Sequence, residues 1–346
     1  MTAKTQDAKG RQESREKLMK ILTILMKRTL RLGLLAFTVT SATFFLVSLI
    51  PGDFFTPLEA NPNIRPETVT RLREQYGLGD PVHLQYVHWV QRSLHLDFGY
   101  SLFYGSAVSS VVANALSNTL WMGVPALLLG CFAGAILGTF HAVHQQRPAG
   151  YLLDFLSAVT LSLPPLILGL AALMFASGTQ WFPVGGMSAV SLESPHPLAW
   201  ILDRLHHLAL PVACIGLPVT AIVEKIQYAA AKNTLVQLHV RSARARGLSR
   251  RRILLMHVLL PSLNPVLSVF GPLLGAVLSG SLVLETIFSW PGLGKATYDA
   301  LFNTDIYLLL GCVACGGVLL ALGNLVADLL LFLLDPRTRH FSNEAF

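Results

Sequence analysis

Charged residues are spaced so that six long stretches of the chain contain none of them. The charge-free stretches are Leu32 to Gly52, Phe98 to Gln146, Phe155 to Leu192, Leu205 to Val223, Ile253 to Leu284 and Ile306 to Ala327. Each can hold a helix of about 20 residues, which spans roughly 30 Å of hydrocarbon. The pattern therefore predicts an all-α membrane protein with six transmembrane helices. The predicted spans are 30–50, 116–142, 151–177, 205–227, 262–287 and 306–334.

The polar stretches between the spans define the predicted organisation. A cytoplasmic tail (1–27) precedes the first span (28–50), and an extracytoplasmic segment (51–115) separates helices 1 and 2. The core of spans two to six (116–334) contains a cytoplasmic helix-turn-helix loop (228–261) between helices 4 and 5. A second cytoplasmic tail is predicted at 335–346.

The basic N-terminus followed by an apolar run also resembles a secretory signal, which would be cleaved. That run leads into Pro51-Gly52-Asp53 without a small-x-small cleavage site. We therefore expect the first helix to remain uncleaved.

Composition and charge agree with a membrane location. Hydrophobic residues make up 53% of the chain and charged residues 13%, whereas soluble domains carry about 25% charged residues. If the N-terminus is cytoplasmic, 20 of the 26 Lys and Arg residues fall on the cytoplasmic side. The positive-inside rule favours that orientation, with both termini in the cytoplasm. It also explains the net charge of +7 without a nucleic-acid partner.

Two helices are predicted in the extracytoplasmic segment. The first begins at Pro66, because Pro suits a first helical turn and Glu67 favours the positive end of the helix dipole. The second is the amphipathic run from Val82 to Leu94. We expect it to lie along the membrane interface with the help of Trp89.

Small residues and prolines distinguish the spans from one another. Gly130, Gly134 and Gly138 form a repeated GxxxG pattern, which removes side chains from one helix face and allows another helix to pack closely. Prolines predict breaks or kinks, because they remove a backbone donor. Such interruptions are expected at Pro164-Pro165 in the third span and at Pro211 and Pro218 in the fourth.

The sequence carries no G-x-S-x-G, H-E-x-x-H or paired-carboxylate pattern, so we expect no enzyme. Gly292-Leu-Gly294-Lys295 superficially resembles a phosphate loop, but Ser289 and Ala296 stand where that motif requires Gly and Ser or Thr. Cys312-Val-Ala-Cys315 has no second pair or nearby His, so helix packing is expected there and no metal site.

Four ionisable residues lie at or near predicted span ends: Glu224, Lys225, Glu285 and Asp328. Charged groups at such depths are functional candidates by default. For each of them, interfacial solvation or pairing between helices is the simpler expectation.

The cytoplasmic loop contains the most informative segment. Val236 to Arg246 is predicted as a short helix, Gly247 ends it in a left-handed conformation, and Ser249 caps the next helix. Its small residues allow another protein to approach closely, and its arginines can bind acidic groups of that protein. On composition alone, a loop that is merely positive-inside remains the alternative.

This segment resembles the ATPase-coupling loop of bacterial ABC importer permeases, in particular the dipeptide, oligopeptide and nickel branch. The match runs Arg241-Ser242-Ala243-Arg244-Ala245-Arg246-Gly247, with His257 ten residues later. Further matches follow in the family's order: Pro51-Gly52-Asp53, Tyr76-Gly77-Leu78 before Asp80-Pro81, Asp97-Phe98-Gly99-Tyr100-Ser101, Phe288-Ser289-Trp290-Pro291-Gly292-Leu293-Gly294, and Leu334-Asp335-Pro336-Arg337. Together they cover nearly the whole chain from about residue 28.

The chain departs from the branch pattern at three places. Leu238 and His239 stand where the branch usually has an acidic residue and Tyr, and Leu260-Pro261 where it often has Arg-Asn. Phe54-Phe55-Thr56 is a less usual continuation of Pro-Gly-Asp.

The resemblance implies an inner-membrane, multi-pass permease subunit without a cofactor, surrounded by membrane lipid. Its implied partners are a homologous second permease, two cytosolic ATP-binding subunits that hydrolyse the ATP, and an extracytoplasmic substrate-binding protein. By resemblance, Arg241 to Gly247 and His257 couple to the ATPase. The residues Trp290, Pro291, Gly292 and Gly294 belong to an outer gate or to the platform for the binding protein. Peptide is the first expected substrate.

The sequence leaves two alternative functions. An ion- or proton-coupled secondary transporter would need buried acidic relays or inverted repeats, and the two halves show no repeat. A membrane scaffold without transport has no need for the loop geometry at Gly247.

Overall fold

The computed structural model describes residues 33–49, 51–59, 65–95, 97–188 and 197–334. The predicted tails at 1–27 and 335–346 lie outside these residues, as does most of the Leu334-Asp335-Pro336-Arg337 motif. The side chain of Asp328 also lies outside the described part.

The described residues are mostly helical. The helices are α1 (Gly33–Ser48), α2 (Thr56–Glu59), α3 (Pro66–Gln75), α4 (Val82–Leu94), α5 (Val108–His144), α6 (Pro148–Ser162), α7 (Pro165–Thr179), α8 (Pro197–Leu235), α9 (Leu238–Ala245), α10 (Arg250–Arg252), α11 (Asn264–Ser268), α12 (Phe270–Ile287), α13 (Leu293–Phe302) and α14 (Ile306–Leu334). A π-helix (Ile253–Leu259) and a 3-10 turn (Leu260–Ser262) follow α10. A short antiparallel hairpin pairs β1 (Tyr100–Ser101) with β2 (Ser106–Ala107).

Helices α5 and α8 form the centre of the fold. They run in the same direction, because successive glycines of α5 meet successive turns of α8. A Cβ atom on Gly130, Gly134 or Gly138 would approach atoms of α8 to 2.8, 2.7 and 2.5 Å. The two backbones therefore touch along three turns, which side chains at these positions would prevent. Around this seam, α7 and α12 add apolar side chains to the largest buried cluster.

The predicted interruption at Pro164-Pro165 is confirmed and is larger than a kink. Helices α6 and α7 meet there at 102°, as a broken span or a re-entrant loop. In α8 the helix continues through Pro211 and Pro218 without a break, and the kinks expected there stay a prediction. A proline inside a bundle can be accommodated when neighbouring helices hold the segment in place.

Within the described residues, four helices are long and apolar enough to cross a membrane, namely α5, α8, α12 and α14, and the bent α6–α7 pair makes five if it counts as one span. The predicted six-helix topology therefore stays a prediction. The described part of α1 is apolar but shorter than a full span. The fifth predicted span begins later than expected, at Phe270, because the 3-10 turn and α11 occupy residues 260–268.

The segment after α1 contains both predicted helices, α3 and α4. The expectation for Trp89 was wrong, because its side chain is only 4% exposed and packs with Phe44 of α1 and Leu310 of α14. The rings of Trp89 and Tyr86 stack with their centroids 6.2 Å apart, so Tyr86 belongs to the same aromatic cluster. Trp89 thus holds α4 against two helices, and the amphipathic period had marked the face that packs on protein.

Candidate functional site

The predicted coupling segment folds as α9 and ends in a Schellman motif. Gly247 has φ of +74°, the left-handed conformation expected for it. Its N–H donates to the carbonyl of Arg244 at 3.0 Å, and the N–H of Leu248 donates to the carbonyl of Ala243 at 3.3 Å. These two bonds define the motif, and they satisfy carbonyls that the helix end would otherwise leave free. Glycine is favoured here because a Cβ atom strains a left-handed backbone.

Helix α9 has one buried and one exposed face. Val240 and Ala243 are fully buried and pack with Ala142, Ala231 and other apolar residues from the ends of α5 and α8. The remaining members of the predicted coupling set on this segment are exposed: Arg241, Ser242, Arg244, Ala245, Arg246 and Gly247. A Cβ on Gly247 would meet no atom within 4 Å. The segment therefore presents basic and small residues outward from an apolar base.

A hydrogen bond between two histidines closes the loop and was not expected from the sequence. His239 Nε2 donates to the backbone carbonyl of His257 at 3.0 Å. Pro261, four residues after His257, has no N–H to offer that carbonyl. His239, one departure from the family pattern, thus binds the carbonyl of the residue four positions before Pro261, a second departure. The available signal in the sequence was that one loop departs from the family pattern twice, once at a hydrogen-bond donor side chain and once at a proline.

The second predicted helix of the loop differs from expectation. Ser249 occupies the N-cap position of α10, but its side chain makes no capping hydrogen bond. After three α-helical residues the chain continues as the π-helix that contains His257. A cavity of about 660 Å³ lies behind α9, lined by Val143, Leu248 and other apolar residues together with Arg244 and Arg250.

The predicted outer gate is built around a buried carboxylate, Glu285, at the end of α12. Its side chain accepts hydrogen bonds from the hydroxyl of Thr119 at 2.8 Å and from the backbone N–H of Lys295 at 2.9 Å. Lys295 lies in the first turn of α13, so the carboxylate neutralises free donors and the positive dipole end of that helix. Glu285 is fully buried, and its hydrogen bonds join α12 to α5 and α13. Pairing between helices was the simpler expectation for this residue, and it describes these contacts.

The outer loop glycines are explained by close approach to Glu285. A Cβ on Gly292 would lie 2.4 Å from the Glu285 carboxylate, and one on Gly294 would lie 2.5 Å from Cα of Leu282. The phosphate-loop likeness of this stretch therefore reflects a helix N-terminus that holds an internal carboxylate. Trp290 is buried and donates its Nε1–H to the carbonyl of Asn118 at 2.9 Å, and Asn118 Nδ2 donates to the carbonyl of Pro291 at 2.9 Å. The structure thus joins all four predicted gate residues to α5 or α12.

Asp305, which sequence reasoning missed, ties the hairpin to α14. One carboxylate oxygen accepts from Ser101 Oγ at 2.7 Å and from the N–H of Phe103 at 3.1 Å. The other accepts from the N–H of Leu308 at 3.2 Å, and this bond caps α14. These bonds place Ser101, the last residue of the Asp97 to Ser101 motif, beside the start of α14. An Asp directly before an apolar helical run was the available signal.

The remaining family motifs are turn and cap structures. Gly77 has φ of +69° and ends α3 in a second Schellman motif, in which the N–H of Leu78 donates to the carbonyl of Arg73 at 2.9 Å. Arg73 also binds Asp53 through two nitrogens, at 2.6 and 3.0 Å. Partial burial by itself raises the pKa of Asp53, but the hydrogen bond and charge of Arg73 outweigh it and hold the pKa below its ordinary value. The Pro-Gly-Asp and Tyr-Gly-Leu motifs are thus joined by one ion pair.

Two family models match the chain. The model for "Binding-protein-dependent transport system inner membrane component" matches residues 126–340. The model for the N-terminal part of binding-protein-dependent transport system membrane components matches residues 21–122. The two matches together include α9, the outer loop and the segment after α1.

Several characterised proteins are similar over nearly their whole length. The oligopeptide transport system permease protein AppB of Bacillus subtilis is 32% identical, over 91% of this chain and 99% of its own. The dipeptide transport system permease protein DppB of Escherichia coli is 31% identical, over 90% and 97%. The oligopeptide transport system permease protein OppB of Haemophilus influenzae is 29% identical, over 92% and 100%.

Proposed function

This chain belongs to the family of binding-protein-dependent transport system inner membrane components, and from that premise we propose that it forms one half of a peptide-translocation pathway driven by ATPase subunits. Family membership makes it a multi-pass permease subunit of the inner membrane and not an enzyme. It also implies ATPase and binding-protein partners. The proposed assembly contains this chain, a homologous second permease, two cytosolic ATP-binding subunits and one extracytoplasmic binding protein.

The exposed face of α9 is the observation that carries the proposal. It offers arginines and small residues on a helix whose end is fixed by Gly247 and whose other face is anchored by Val240 and Ala243. A rigid base is needed if displacement of the segment by a partner is to move the long helices. We propose that Arg241 to Gly247 dock on an ATPase subunit, with His257 holding the loop closed from the opposite side.

We propose a six-helix topology with both termini in the cytoplasm. The apolar α1, which begins at the edge of the described residues, supplies the first span, and the bent α6–α7 pair supplies the third. The parallel run of α5 and α8 supports this arrangement, because spans two and four of such a topology cross the membrane in the same direction. The distribution of Lys and Arg supports the orientation.

We propose that the outer loop from Trp290 to Gly294, together with the segment at 51–115, forms the outer gate and the platform for the binding protein. The loop lies at the end of α12 opposite to α11 and the coupling segment. Its internal hydrogen bonds to Glu285 and Asn118 make it a rigid feature that moves together with α5 and α12.

The proposal of a peptide substrate is supported by the relatives, which are named as oligopeptide and dipeptide permeases. Similarity over nearly the full length of those relatives favours a shared class of substrate. A transport assay with short peptides tests this part of the proposal separately from ATPase docking.

Co-purification with the ATPase subunits tests the docking proposal. Gly247→Glu places a long acidic side chain in the open space beside the arginines, and we expect it to reduce the amount of co-purified ATPase. Gly247→Ala is the matched control, because it carries the same backbone strain at positive φ without the acidic side chain. Equal recovery of ATPase with wild type and Gly247→Glu would overturn the proposal.

A further inference from the structure

A buried polar layer lies near the inner end of α8, about four turns before α9. Glu224 of α8 is only 1% exposed. Its carboxylate accepts hydrogen bonds from His141 Nδ1 of α5 at 2.5 Å and from Ser157 Oγ of α6 at 2.9 Å. One side chain thus connects three helices at a depth where an uncompensated charge is costly.

Two further charges complete the layer. Lys225 Nζ lies 2.5 Å from Asp154 Oδ1 of α6 and 3.6 Å from Glu224 Oε2. His141 Nε2 lies 3.4 Å from Asp154 Oδ2, so both ring nitrogens face carboxylate oxygens. Glu224 and His141 are buried at the centre of the layer, whereas Asp154 and Lys225 lie at its partly exposed edge. Removal of one partner leaves polar atoms of the buried pair without their hydrogen bonds, which is costly.

A second polar contact lies about one turn closer to the coupling loop. Gln227 Nε2 donates to Thr139 Oγ1 of α5 at 3.0 Å and to Ser262 Oγ at 2.7 Å. Ser262 follows the π-helix, so it belongs to the returning arm of the loop, whereas α8 itself is the entering arm. Gln227 therefore joins both arms of the loop, about one helical turn from the polar layer that reaches α6.

We propose that Glu224 is a positioning residue, which transmits displacement of the α9 segment to α6 and so to the bent α6–α7 pair. Apolar contacts between α6 and α8 can slide in small steps, but a carboxylate at 1% exposure with hydrogen bonds to two other helices has few satisfactory arrangements. The polar layer therefore makes the ends of α5, α6 and α8 move as one unit. This inference rests on the proposed coupling function and adds a residue that is not part of the docking surface.

The test is the number of substrate molecules transported per ATP hydrolysed by the complete reconstituted transporter. Glu224→Gln keeps the shape of the side chain but replaces one carboxylate oxygen with an amide nitrogen, so separate oxygens can no longer accept the hydrogen bonds from His141 and Ser157. We expect substrate transported per ATP to fall about twofold to thirtyfold, the range in which single residues alter coupling between sites. Because the variant does not touch the ATPase-docking surface, basal ATP hydrolysis and recovery of the assembled complex should stay unchanged.

A pair of hydroxyl deletions on α6 serves as the matched control. Ser157→Ala removes a donor to Glu224, whereas Thr160→Ala removes a hydroxyl that bonds only the carbonyl of Leu156 in its own helix. We expect Ser157→Ala to lower transport per ATP and Thr160→Ala to leave it unchanged. If the Glu224→Gln variant does not assemble with its partners, the comparison of Ser157→Ala with Thr160→Ala still tests the proposal.

Two results would overturn this inference. One is a wild-type ratio of transport to ATP hydrolysis in an assembled Glu224→Gln complex, and the other is an equal response of Ser157→Ala and Thr160→Ala. Failure of the wild-type complex to couple ATP hydrolysis to uptake would instead contradict the proposed function itself. The two failures are therefore distinguishable in one set of measurements.

Discussion

Three acidic side chains on the predicted outer side stabilise loops that the sequence shows only as family motifs. Asp53, Glu285 and Asp305 each accept at least one backbone N–H bond beside a tight turn or helix start. The turns were predicted from the sequence, because Gly and Pro are typical turn residues. The sequence did not predict which carboxylate satisfies which donor, because Glu285 and Lys295 or Ser101 and Asp305 meet only in the folded chain.

Loss of the Glu285 carboxylate should destabilise the outer loop. Glu285→Ala leaves the buried N–H of Lys295 and the hydroxyl of Thr119 without their acceptor, at a cost of about 1–3 kcal/mol for such groups. Thermal unfolding of the purified protein checks this. Glu285→Gln is the control, because it retains one acceptor oxygen, and it should lose less stability than the Ala variant. An Ala variant as stable as wild type contradicts the assigned role.

The ion pair of Asp53 with Arg73 predicts an acid-sensitive outer segment. Because the folded pKa of Asp53 is lowered, its contribution to stability is complete above the unfolded pKa of about 3.9 and is lost as pH falls through the folded value. Hydrogen exchange of residues 51–76 should therefore accelerate as pH is lowered below about 4, after correction for intrinsic rates. Asp53→Asn should abolish this pH-dependent step. A step of equal size in the variant would show that other groups cause it.

At the scale of elements, local signals predicted the helices that begin with proline or carry a clear amphipathic period. Helices α3 and α4 are examples, and Gly247 ends α9 as its spacing indicates. The π-helix at Ile253–Leu259 was not predicted, because an apolar run does not distinguish a π-helix from an ordinary helix. Trp89 was misplaced for a related reason, since an amphipathic face does not reveal whether protein or lipid covers it.

The contact of α5 with α8 can be tested by two glycine substitutions of the same kind. Gly134→Ala brings a Cβ to 2.7 Å from the carbonyl of Thr220, and overpacking of this sort costs about 1–3 kcal/mol. Gly316→Ala in α14 meets no atom within 4 Å and gains up to about 1 kcal/mol of helix propensity. Thermal unfolding should therefore rank Gly316→Ala at or above wild type and Gly134→Ala below it. The reverse order would contradict the close seam.

At the scale of the whole molecule, hydropathy predicted a helical membrane protein but did not predict how each apolar stretch is used. The stretch around Pro164-Pro165 is divided by a 102° bend, and the stretch from Ile253 contains a π-helix and a short helix before α12 begins. Apolar composition is equally compatible with a span, a re-entrant segment or a buried loop. Tertiary packing decides among them, and composition does not record it.

The molecule as a whole places its two candidate functional regions at opposite ends of one packed unit. The α9 segment rests on the ends of α5 and α8, and the outer loop is bonded to α5 and α12. The long α5 therefore contacts both regions. A permease that relays motion from a cytosolic partner to an outer gate needs a connection of this kind, and polar contacts secure it at each end.

Uptake of a labelled short peptide into proteoliposomes that contain the assembled transporter tests the central claim most directly. We expect uptake only when both ATP and the binding protein are supplied, strong loss of uptake in Gly247→Glu, and retention of most uptake in Gly247→Ala. Uptake driven by a proton or ion gradient without ATP, or full uptake by Gly247→Glu, would contradict the account.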